Sequence, residues 1–273
     1  MAFFIACDID HTLLNDKGNL LEENVTALKK AQALGAVVVL STARSFSGAL
    51  PIHQALKLKT PLVVSNGTLV CEPNGNVLKA QTIKTETAEE VVTLFGDGVH
   101  HWSFRTPEAA FVHPEFDTAA PPFNDPKAYR KTALESLLES LDNYSKLITA
   151  TLFGYELLPV YGAHNWTGKG LTADYYPPSH FTRYEALSVM SQDANKGTAV
   201  AWLRRYMGME NNPTLTIGDS PADATMFPLG IGVAPANAQP EVLAAADWIA
   251  PHCDEGAVAA AIERFILLER VPS

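Results

Sequence analysis

The sequence predicts an α/β protein with a doubly wound, mostly parallel sheet that is interrupted by an inserted α+β domain. Short apolar runs alternate with helical patterns at both ends of the chain, and several of these runs lack polar alternation. Such runs are typical of parallel strands covered on both faces. The middle of the chain has a different, aromatic-rich pattern, so we expect a core of residues 1–82 and 188–273 and an insert of residues 83–187.

The first 80 residues alternate between strand and helix patterns. A β-prone run at residues 3–7 precedes "LLEENVTALKKAQALG", whose apolar residues recur at helical spacing as far as Gly35, a residue type that commonly ends helices. The run "AVVVL", a further helical segment and the run "PLVVS" follow, which predicts parallel strands joined by helices. Asn74 and Gly75 then predict the turn of a hairpin.

The expected insert combines helices with β-prone aromatic runs such as "HHWSFRT" and "ITATLFGYE". One helix is expected to open with a capping box from Thr87 to Glu90, and another to begin at Asp125. From Asn195 the core pattern returns, with a helix in "KGTAVAWLRRYMG", strands in "TLTIGDS" and "GIGVAP", and a closing helix.

Composition limits the classes of function. The chain of 273 residues has a formal net charge of −10, which argues against binding to nucleic acid or to an anionic membrane. Three widely spaced cysteines predict neither a disulfide framework nor a zinc site, so a reducing cytoplasm fits best. The first apolar stretch is too short for the core of a signal peptide and lacks a basic leader, and no run approaches the roughly 20 apolar residues of a membrane span, so we expect neither.

Polar residues follow four of the predicted core strands. In an open α/β sheet the carboxyl ends of the strands form the ligand-binding edge, so these residues should share one crevice. Any one of them has a simpler explanation as a helix cap, but four together favour a binding site. The four positions are Asp8, Ser41-Thr42, Asn66-Gly67 and Gly218-Asp219.

The acids in this crevice point to a metal ion. Asp8, Asp10 and Asp219 would repel one another and become protonated unless a cation lay between them. Oxygen ligands of this kind suit a hard divalent ion, and Mg²⁺ is the expected cofactor because it binds carboxylates together with phosphate groups.

The same residues suit phosphoryl transfer. An ionised Asp8 can attack phosphorus, while Asp10, two residues on, can protonate the leaving alcohol and then take a proton from water. Thr42 and Asn66 can donate hydrogen bonds to the transferring oxygens. Lys196, at the start of its helix, adds a positive charge that complements the phosphate.

The motifs "DIDHTLL", "LSTAR", "SNGT", "NKGTAV" and "GDSPADATMF" stand in this order over nearly the whole chain. Together they resemble the haloacid dehalogenase-like phosphatases, in particular the Cof-type branch with a type II (IIB) cap, which would make the insert a cap domain. The resemblance implies that Asp8 is the nucleophile and Asp10 the acid/base. It further implies a metal site formed by Asp8, the backbone carbonyl of Asp10 and Asp219, with Asp223 as an acid near the metal. The phosphate-site residues that it implies are Thr42, Lys196, Arg44 and Asn66.

Two positions depart from the family pattern. Ala222 stands where Asn is usual before the second acid of the fourth motif, and His11 stands where Gly is commoner in the first motif. Loss of the amide removes a hydrogen bond near the metal, for which Ser220 is a candidate replacement. For Arg44 a surface ion pair, and for Asp223 a first-turn helix acid, remain alternative interpretations.

The predicted function is therefore hydrolysis of a small phosphorylated metabolite, for example a sugar phosphate, through an aspartyl-phosphate. The expected partner is that metabolite, without nucleic acid or membrane. Two alternatives stay open. A phosphosugar mutase would return the phosphoryl group to the sugar, and a binding or regulatory protein of the same architecture would have lost catalysis.

Overall fold

A computed structural model of the chain describes residues 2–95, 101–107, 109–116, 129–133, 146–178 and 184–268. The chain divides into two compact units, one formed by Met1–Lys79 with Asn195–Ser273 and the other by Ala80–Ala194. Within the described ranges, no helix combines the length and the apolar character that crossing a membrane requires.

Strands and helices alternate along the described residues. The strands are β1 (Phe4–Cys7), β2 (Val37–Leu40), β3 (Leu62–Val64), β4 (Leu69–Cys71), β5 (Val77–Ala80), β6 (His101–Arg105), β7 (Ala110–Val112), β8 (Tyr129–Lys131), β9 (Thr149–Gly154), β10 (Leu171–Tyr176), β11 (Glu185–Ser191), β12 (Thr214–Ile217), β13 (Ile231–Pro235) and β14 (Trp248–Ala250). The α-helices are α1 (Glu22–Ala33), α2 (Phe46–Ala55), α3 (Thr85–Phe95), α4 (Leu157–Ala163), α5 (Lys196–Tyr206), α6 (Pro221–Ala224), α7 (Pro240–Ala245) and α8 (Ala257–Ile262).

The first unit is built on a five-stranded parallel sheet in the order β14-β13-β12-β1-β2. On one face, Phe4 and Ala6 of β1 pack with Leu203 of α5. The alternate residues Ile5 and Cys7 are also fully buried, so the sheet is covered on both faces. This arrangement confirms the predicted fold class.

The strand predicted from "PLVVS" lies elsewhere than expected. Instead of extending the five-stranded sheet, β3 joins an antiparallel three-stranded sheet with β4 and β5. A single parallel bridge between Ser41 and Val63 still links β3 to the end of β2. The difference lies in the extent of pairing, because all three residues of β3 pair with β4 in the hairpin, whereas the contact with β2 is limited to this one bridge. The polar loop after β3 therefore still lies beside the end of β2.

The second unit contains a six-stranded sheet in the order β10-β11-β9-β6-β7-β8. Its core includes Trp102, Phe104, Leu152 and Leu187, all nearly or fully buried. Two expectations for this region are wrong. The first is the capping box from Thr87 to Glu90 at the start of a helix, because helix α3 begins at Thr85 and Thr87 lies inside it.

The second wrong expectation concerns the helix from Asp125. Residues Tyr129–Lys131 form the strand β8, because pairing with β7 overrides their local helical pattern. Asp125 itself and residues 134–145 lie outside the described residues.

Candidate active site

A buried lysine lies between two aspartates at the carboxyl end of β1. The Nζ atom of Lys196 donates to Oδ1 of Asp8 at 2.6 Å and to Oδ1 of Asp223 at 2.6 Å. The three residues are almost inaccessible, with exposures of 2%, 5% and 0% for Lys196, Asp8 and Asp223. Lys196 is the first residue of α5, and the side chain of Asn195 caps this helix by accepting from Thr198. The cap therefore fixes the position from which the lysine reaches the acids.

A third acid completes the cluster. Asp219 directly follows Gly218 at the end of β12, and carboxylate oxygens of Asp8, Asp219 and Asp223 all lie within 4.8 Å of one another. Oδ1 of Asp219 accepts a hydrogen bond from the buried hydroxyl of Thr12 at 2.8 Å. The sequence argument did not select Thr12, although its position in "DIDHTLL", four residues after Asp8, was available as a signal.

The charges of this cluster shift its pKa values. Burial, and then the carboxylate of Asp223, raise the pKa of Asp8 well above its usual range. The same two causes raise the pKa of Asp219 to about 6. Burial acts to lower the pKa of Lys196, but the charges of Asp223 and Asp8 outweigh it, so the ammonium stays charged.

When ionised, three carboxylates around one ammonium leave an excess of two negative charges. One divalent cation would balance that excess. The donor atoms are carboxylate oxygens, which are the ligands that Mg²⁺ prefers. The residues present therefore fit a magnesium ion held by Asp8, Asp219 and Asp223.

Asp10 has a different environment from the three clustered acids. The guanidinium of Arg44 donates two hydrogen bonds to its carboxylate, from Nε to Oδ2 at 2.8 Å and from Nη2 to Oδ1 at 2.6 Å. Arg44 also donates from Nη1 to the carbonyl of Gly48 at 3.2 Å. The bidentate contact aligns the guanidinium on this carboxylate. The alternative interpretation of Arg44 as a surface ion pair agrees with the geometry, because the side chains of Arg44 and Asp10 are 33% and 44% exposed.

Thr42 and Asn66 lie on neighbouring loops. Thr42 is buried, its amide donates to the carbonyl of Val63 at 2.9 Å, and its own carbonyl accepts from the amide of Asn66 at 3.1 Å. The hydroxyl of Thr42 accepts from the amide of Arg44. Backbone hydrogen bonds thus hold the two predicted phosphate-site residues together with the segment that carries Arg44.

Gly67 brings the Asn66 loop against the start of α5. It has a φ of +87°, and a Cβ atom added there would lie only 2.3 Å from the carbonyl oxygen of Asn195. Only glycine allows this approach without displacing backbone atoms. Because Asn195 precedes Lys196, the contact couples the loop to the lysine.

Within the fourth motif, "GDSPADATMF", Asp223 is held in place by hydrogen bonds from Ser220. Both the amide and the hydroxyl of Ser220 donate to Oδ2 of Asp223, at 3.0 and 2.6 Å, in a capping box. Asp223 thus serves as a first-turn helix acid while its other oxygen accepts from Lys196. Ala222 contributes only its backbone, whose carbonyl accepts from Thr225. In the family an Asn amide usually stands just before this acid. Here the hydroxyl of Ser220 is the side-chain group that donates a hydrogen bond to Asp223.

His11, the second departure from the family pattern, pairs with Asp16. Its φ of +54° is a left-handed conformation that glycine adopts more easily. Its Nδ1 lies 2.8 Å from Oδ1 of Asp16, and about half of the side chain is exposed. The structure thus gives His11 a pairing role in the loop that follows Asp10.

Comparison with known proteins places this geometry in a family. The family model of the haloacid dehalogenase-like hydrolases matches residues 5–262. A phosphatase of Bacillus subtilis, YwpJ, is 26% identical over 93% of this chain and 96% of its own. An HMP-PP phosphatase of Serratia proteamaculans is 27% identical over 96% and 94%. A solved HAD subclass IIB sugar phosphatase superposes with a TM-score of 0.76 at 20% identity, covering 96% of this chain and 98% of its own.

The chain therefore belongs to the haloacid dehalogenase-like hydrolases. The predicted resemblance to the Cof-type branch is confirmed, and so is the prediction of a phosphomonoester hydrolase at the level of this family.

Proposed function

We propose that the chain is a Mg²⁺-dependent phosphatase that transfers the phosphoryl group of a small phosphorylated metabolite first to Asp8 and then to water. The observation that carries the proposal is the buried arrangement of Lys196 between Asp8 and Asp223 beside Asp219. Three like charges in a buried site repel one another, and a bound cation that also holds the substrate phosphate would offset that repulsion.

Asp8 is the proposed nucleophile. In the first step a carboxylate oxygen of Asp8 bonds to phosphorus, while the bond from phosphorus to the leaving alcohol oxygen breaks. The ammonium of Lys196 favours the ionised form of Asp8 that this attack requires. It also offsets charge on the transferring phosphoryl oxygens.

Asp10 is the proposed general acid and base. It gives its proton to the leaving alcohol in the first step and removes a proton from water in the second. The oxygen of that water then bonds to phosphorus, which releases inorganic phosphate and regenerates the carboxylate of Asp8. Arg44, which holds both oxygens of Asp10, is the proposed positioning residue for this carboxylate.

Asp8, Asp219 and Asp223, with the backbone carbonyl of Asp10, are the proposed holders of Mg²⁺. When bound, the ion neutralises part of the charge on the transferring phosphate. The residues that complete the phosphate site in this proposal are Thr42 and Asn66, whose loops the backbone ties together.

The substrate class rests on similarity. The relative from Serratia proteamaculans is named for HMP-PP, and the structural neighbour is named a sugar phosphatase. We therefore assign a small phosphorylated metabolite, with sugar phosphates as the first class to test. We assign the choice among substrates to the unit Ala80–Ala194 as the cap, and the cytoplasm as the location.

A panel of small phosphomonoesters with and without Mg²⁺ tests the proposal. We expect phosphate release that depends on Mg²⁺ and is abolished in Asp8→Asn, while Asp193→Asn, which changes an exposed aspartate outside the cluster, keeps the wild-type rate. Conversion of a sugar phosphate to an isomer with little free phosphate would show a mutase instead. Phosphate release from no member of the panel would favour the binding or regulatory alternative.

A further inference from the structure

A second cluster of potential metal ligands lies outside the acidic site. It comprises Asp16, from the loop that follows Asp10, and three consecutive residues around the 3₁₀ turn Cys253–Glu255. One ligand atom from each of Asp16, His252, Cys253 and Asp254 lies within 4.8 Å of the others. The proposed phosphatase chemistry uses none of these four residues.

The separations between these atoms are close to those of a metal site. Sγ of Cys253 lies 3.4 Å from Oδ1 of Asp16 and 3.7 Å from Nδ1 of His252. Nδ1 of His252 lies 3.7 Å from Oδ2 of Asp254. Ligands of a tetrahedral zinc ion at bond lengths of roughly 2.0–2.3 Å are roughly 3.3–3.6 Å apart. Small side-chain adjustments therefore suffice to enclose an ion.

Both ring nitrogens of His252 are within reach of the cluster. Nδ1 accepts from the amide of Asp254 at 3.2 Å, and coordination through Nδ1 would replace that hydrogen bond. Coordination through Nε2, which lies 3.9 Å from Oδ2 of Asp16, would leave it intact.

The two segments are already held together by other side chains. Asn237 accepts from the amide of Cys253 at 2.9 Å and donates to the carbonyl of His11 at 2.8 Å. Oδ1 of Asp254 accepts from the amide of Asp16 at 3.0 Å. His11 in turn contacts Oδ1 of Asp16, in the way that outer partners orient metal-binding carboxylates.

The ligand types decide between metals. A thiol and an imidazole with two carboxylates are unsuited to Mg²⁺, which selects oxygen atoms, and are typical of Zn²⁺. We propose that Asp16, His252, Cys253 and Asp254 form a zinc site that ties the loop after Asp10 to the Cys253–Glu255 turn. Binding forms a bond from zinc to the Cys253 sulfur, and the thiol proton passes to solvent.

The three cysteines are too widely spaced for the sequence to predict a zinc site, and Asp16 precedes Cys253 by 237 residues. Only the tertiary fold brings the fourth ligand to the turn. Without a metal, burial and then Asp16 raise the pKa of the Cys253 thiol to about 12, so at neutral pH the thiol keeps its proton and donates to Asp16.

Direct metal binding tests the proposal. The full chain is stripped with a chelator and titrated with Zn²⁺ in excess Mg²⁺, which competes with Zn²⁺ at the proposed Asp8 site, and bound metal is measured by equilibrium dialysis. We expect one equivalent bound with a Kd on the order of 10⁻⁸ M or tighter. With Co²⁺ as probe, we expect the near-ultraviolet absorption of a thiolate–cobalt bond.

Three variants make the test specific. Cys253→Ser should remove the cobalt–thiolate absorption and weaken Zn²⁺ binding by at least ~10²-fold, whereas Cys71→Ser, at another buried thiol, should change neither. His252→Asn should weaken binding to a similar degree while keeping a side-chain acceptor for the Asp254 amide, so the turn stays folded. Absence of stoichiometric binding, or binding that survives both Cys253→Ser and His252→Asn, would overturn the zinc site.

Discussion

The guanidinium of Arg44 contacts both carboxylate oxygens of Asp10, with Nε 2.8 Å from Oδ2 and Nη2 2.6 Å from Oδ1. In the proposed mechanism Asp10 must point one oxygen at the leaving alcohol and later at water. The planar guanidinium of Arg44, which donates two hydrogen bonds to this carboxylate, restricts its rotation about the side-chain torsions of Asp10.

Arg44→Ala is therefore expected to lower kcat by roughly 10²-fold with little change in KM, because a misplaced proton donor slows the reaction without weakening substrate binding. The kcat of Arg44→Lys should lie between those of wild type and Arg44→Ala, since an ammonium cannot span both carboxylate oxygens of Asp10. Steady-state kinetics decide the point, with Arg205→Ala, at an exposed arginine, as control. A raised KM at unchanged kcat would instead mean that Arg44 binds the substrate phosphate.

Lys196→Met should both destabilise the chain and remove its activity. The substitution leaves Asp8 and Asp223 buried without their cation, for which a loss of about 3–5 kcal/mol in the free energy of unfolding is expected. Urea unfolding measures the loss, and Lys29→Met on the exposed face of α1 is the matched control. Mg²⁺ should restore more stability to Lys196→Met than to wild type. A variant with wild-type stability would show that the buried pair contributes nothing.

Asp219 gives the metal-free protein a pH dependence of defined sign. Its pKa of about 6 in the folded chain exceeds the value of 3.8 for the free group, so the folded state binds the extra proton between these values. The stabilising contribution of Asp219 is thus fully present below about pH 4 and is lost as pH rises through about 6.

The difference in unfolding free energy between wild type and Asp219→Asn, measured in chelator, should therefore shift by on the order of 1 kcal/mol between about pH 5 and about pH 7.5, with wild type losing stability. Mg²⁺ should oppose this loss at the higher pH because it binds the ionised form. A difference that does not change with pH would contradict the raised pKa.

Gly67→Ala should be more harmful than Gly35→Ala, although the two glycines have nearly the same backbone conformation. Their φ angles are +87° and +86°, but an added Cβ meets the carbonyl of Asn195 at Gly67 and no atom within 4 Å at Gly35. Left-handed strain alone costs about 1–2 kcal/mol at Gly35, and the clash adds roughly 1–3 kcal/mol at Gly67. Phosphate release should fall only in Gly67→Ala, because only that clash displaces the residue before Lys196. Equal unfolding free energies would refute the close approach.

Ala222→Asn restores the amide that the family usually has in the fourth motif. If that amide orients the neighbouring acids, the Mg²⁺ concentration for half-maximal activity should fall by roughly 10-fold or more. Activity measured against Mg²⁺ concentration checks this, with Ala245→Asn at the exposed end of α7 as control. An unchanged Mg²⁺ requirement would mean that the Ser220 hydroxyl, 2.6 Å from Asp223, already suffices.

Local patterns in the sequence predicted much of the core. The fully apolar run of β1 and the periodic face of α1 are local signals, because burial on two faces or one face imposes them residue by residue. The expected crevice acids also follow from strand order, since the end of each parallel strand reaches the same edge. The structure brings Asp8, Asp219 and Asp223 together with Lys196 at that edge.

What the sequence alone determined was therefore the parallel core, the order of its motifs and two of the clustered acids, Asp8 and Asp219, whereas the carboxylate of Asp10 lies on Arg44 and Asp223 takes the third place. Only the tertiary structure decided that β3 leaves the main sheet, that Tyr129–Lys131 form a strand, and that Arg44 grips Asp10. It alone brought Asp16 to Cys253 and Thr12 to Asp219. The physical reason is that such contacts join residues far apart in the chain, whose pairing depends on competing partners and packing rather than on local periodicity.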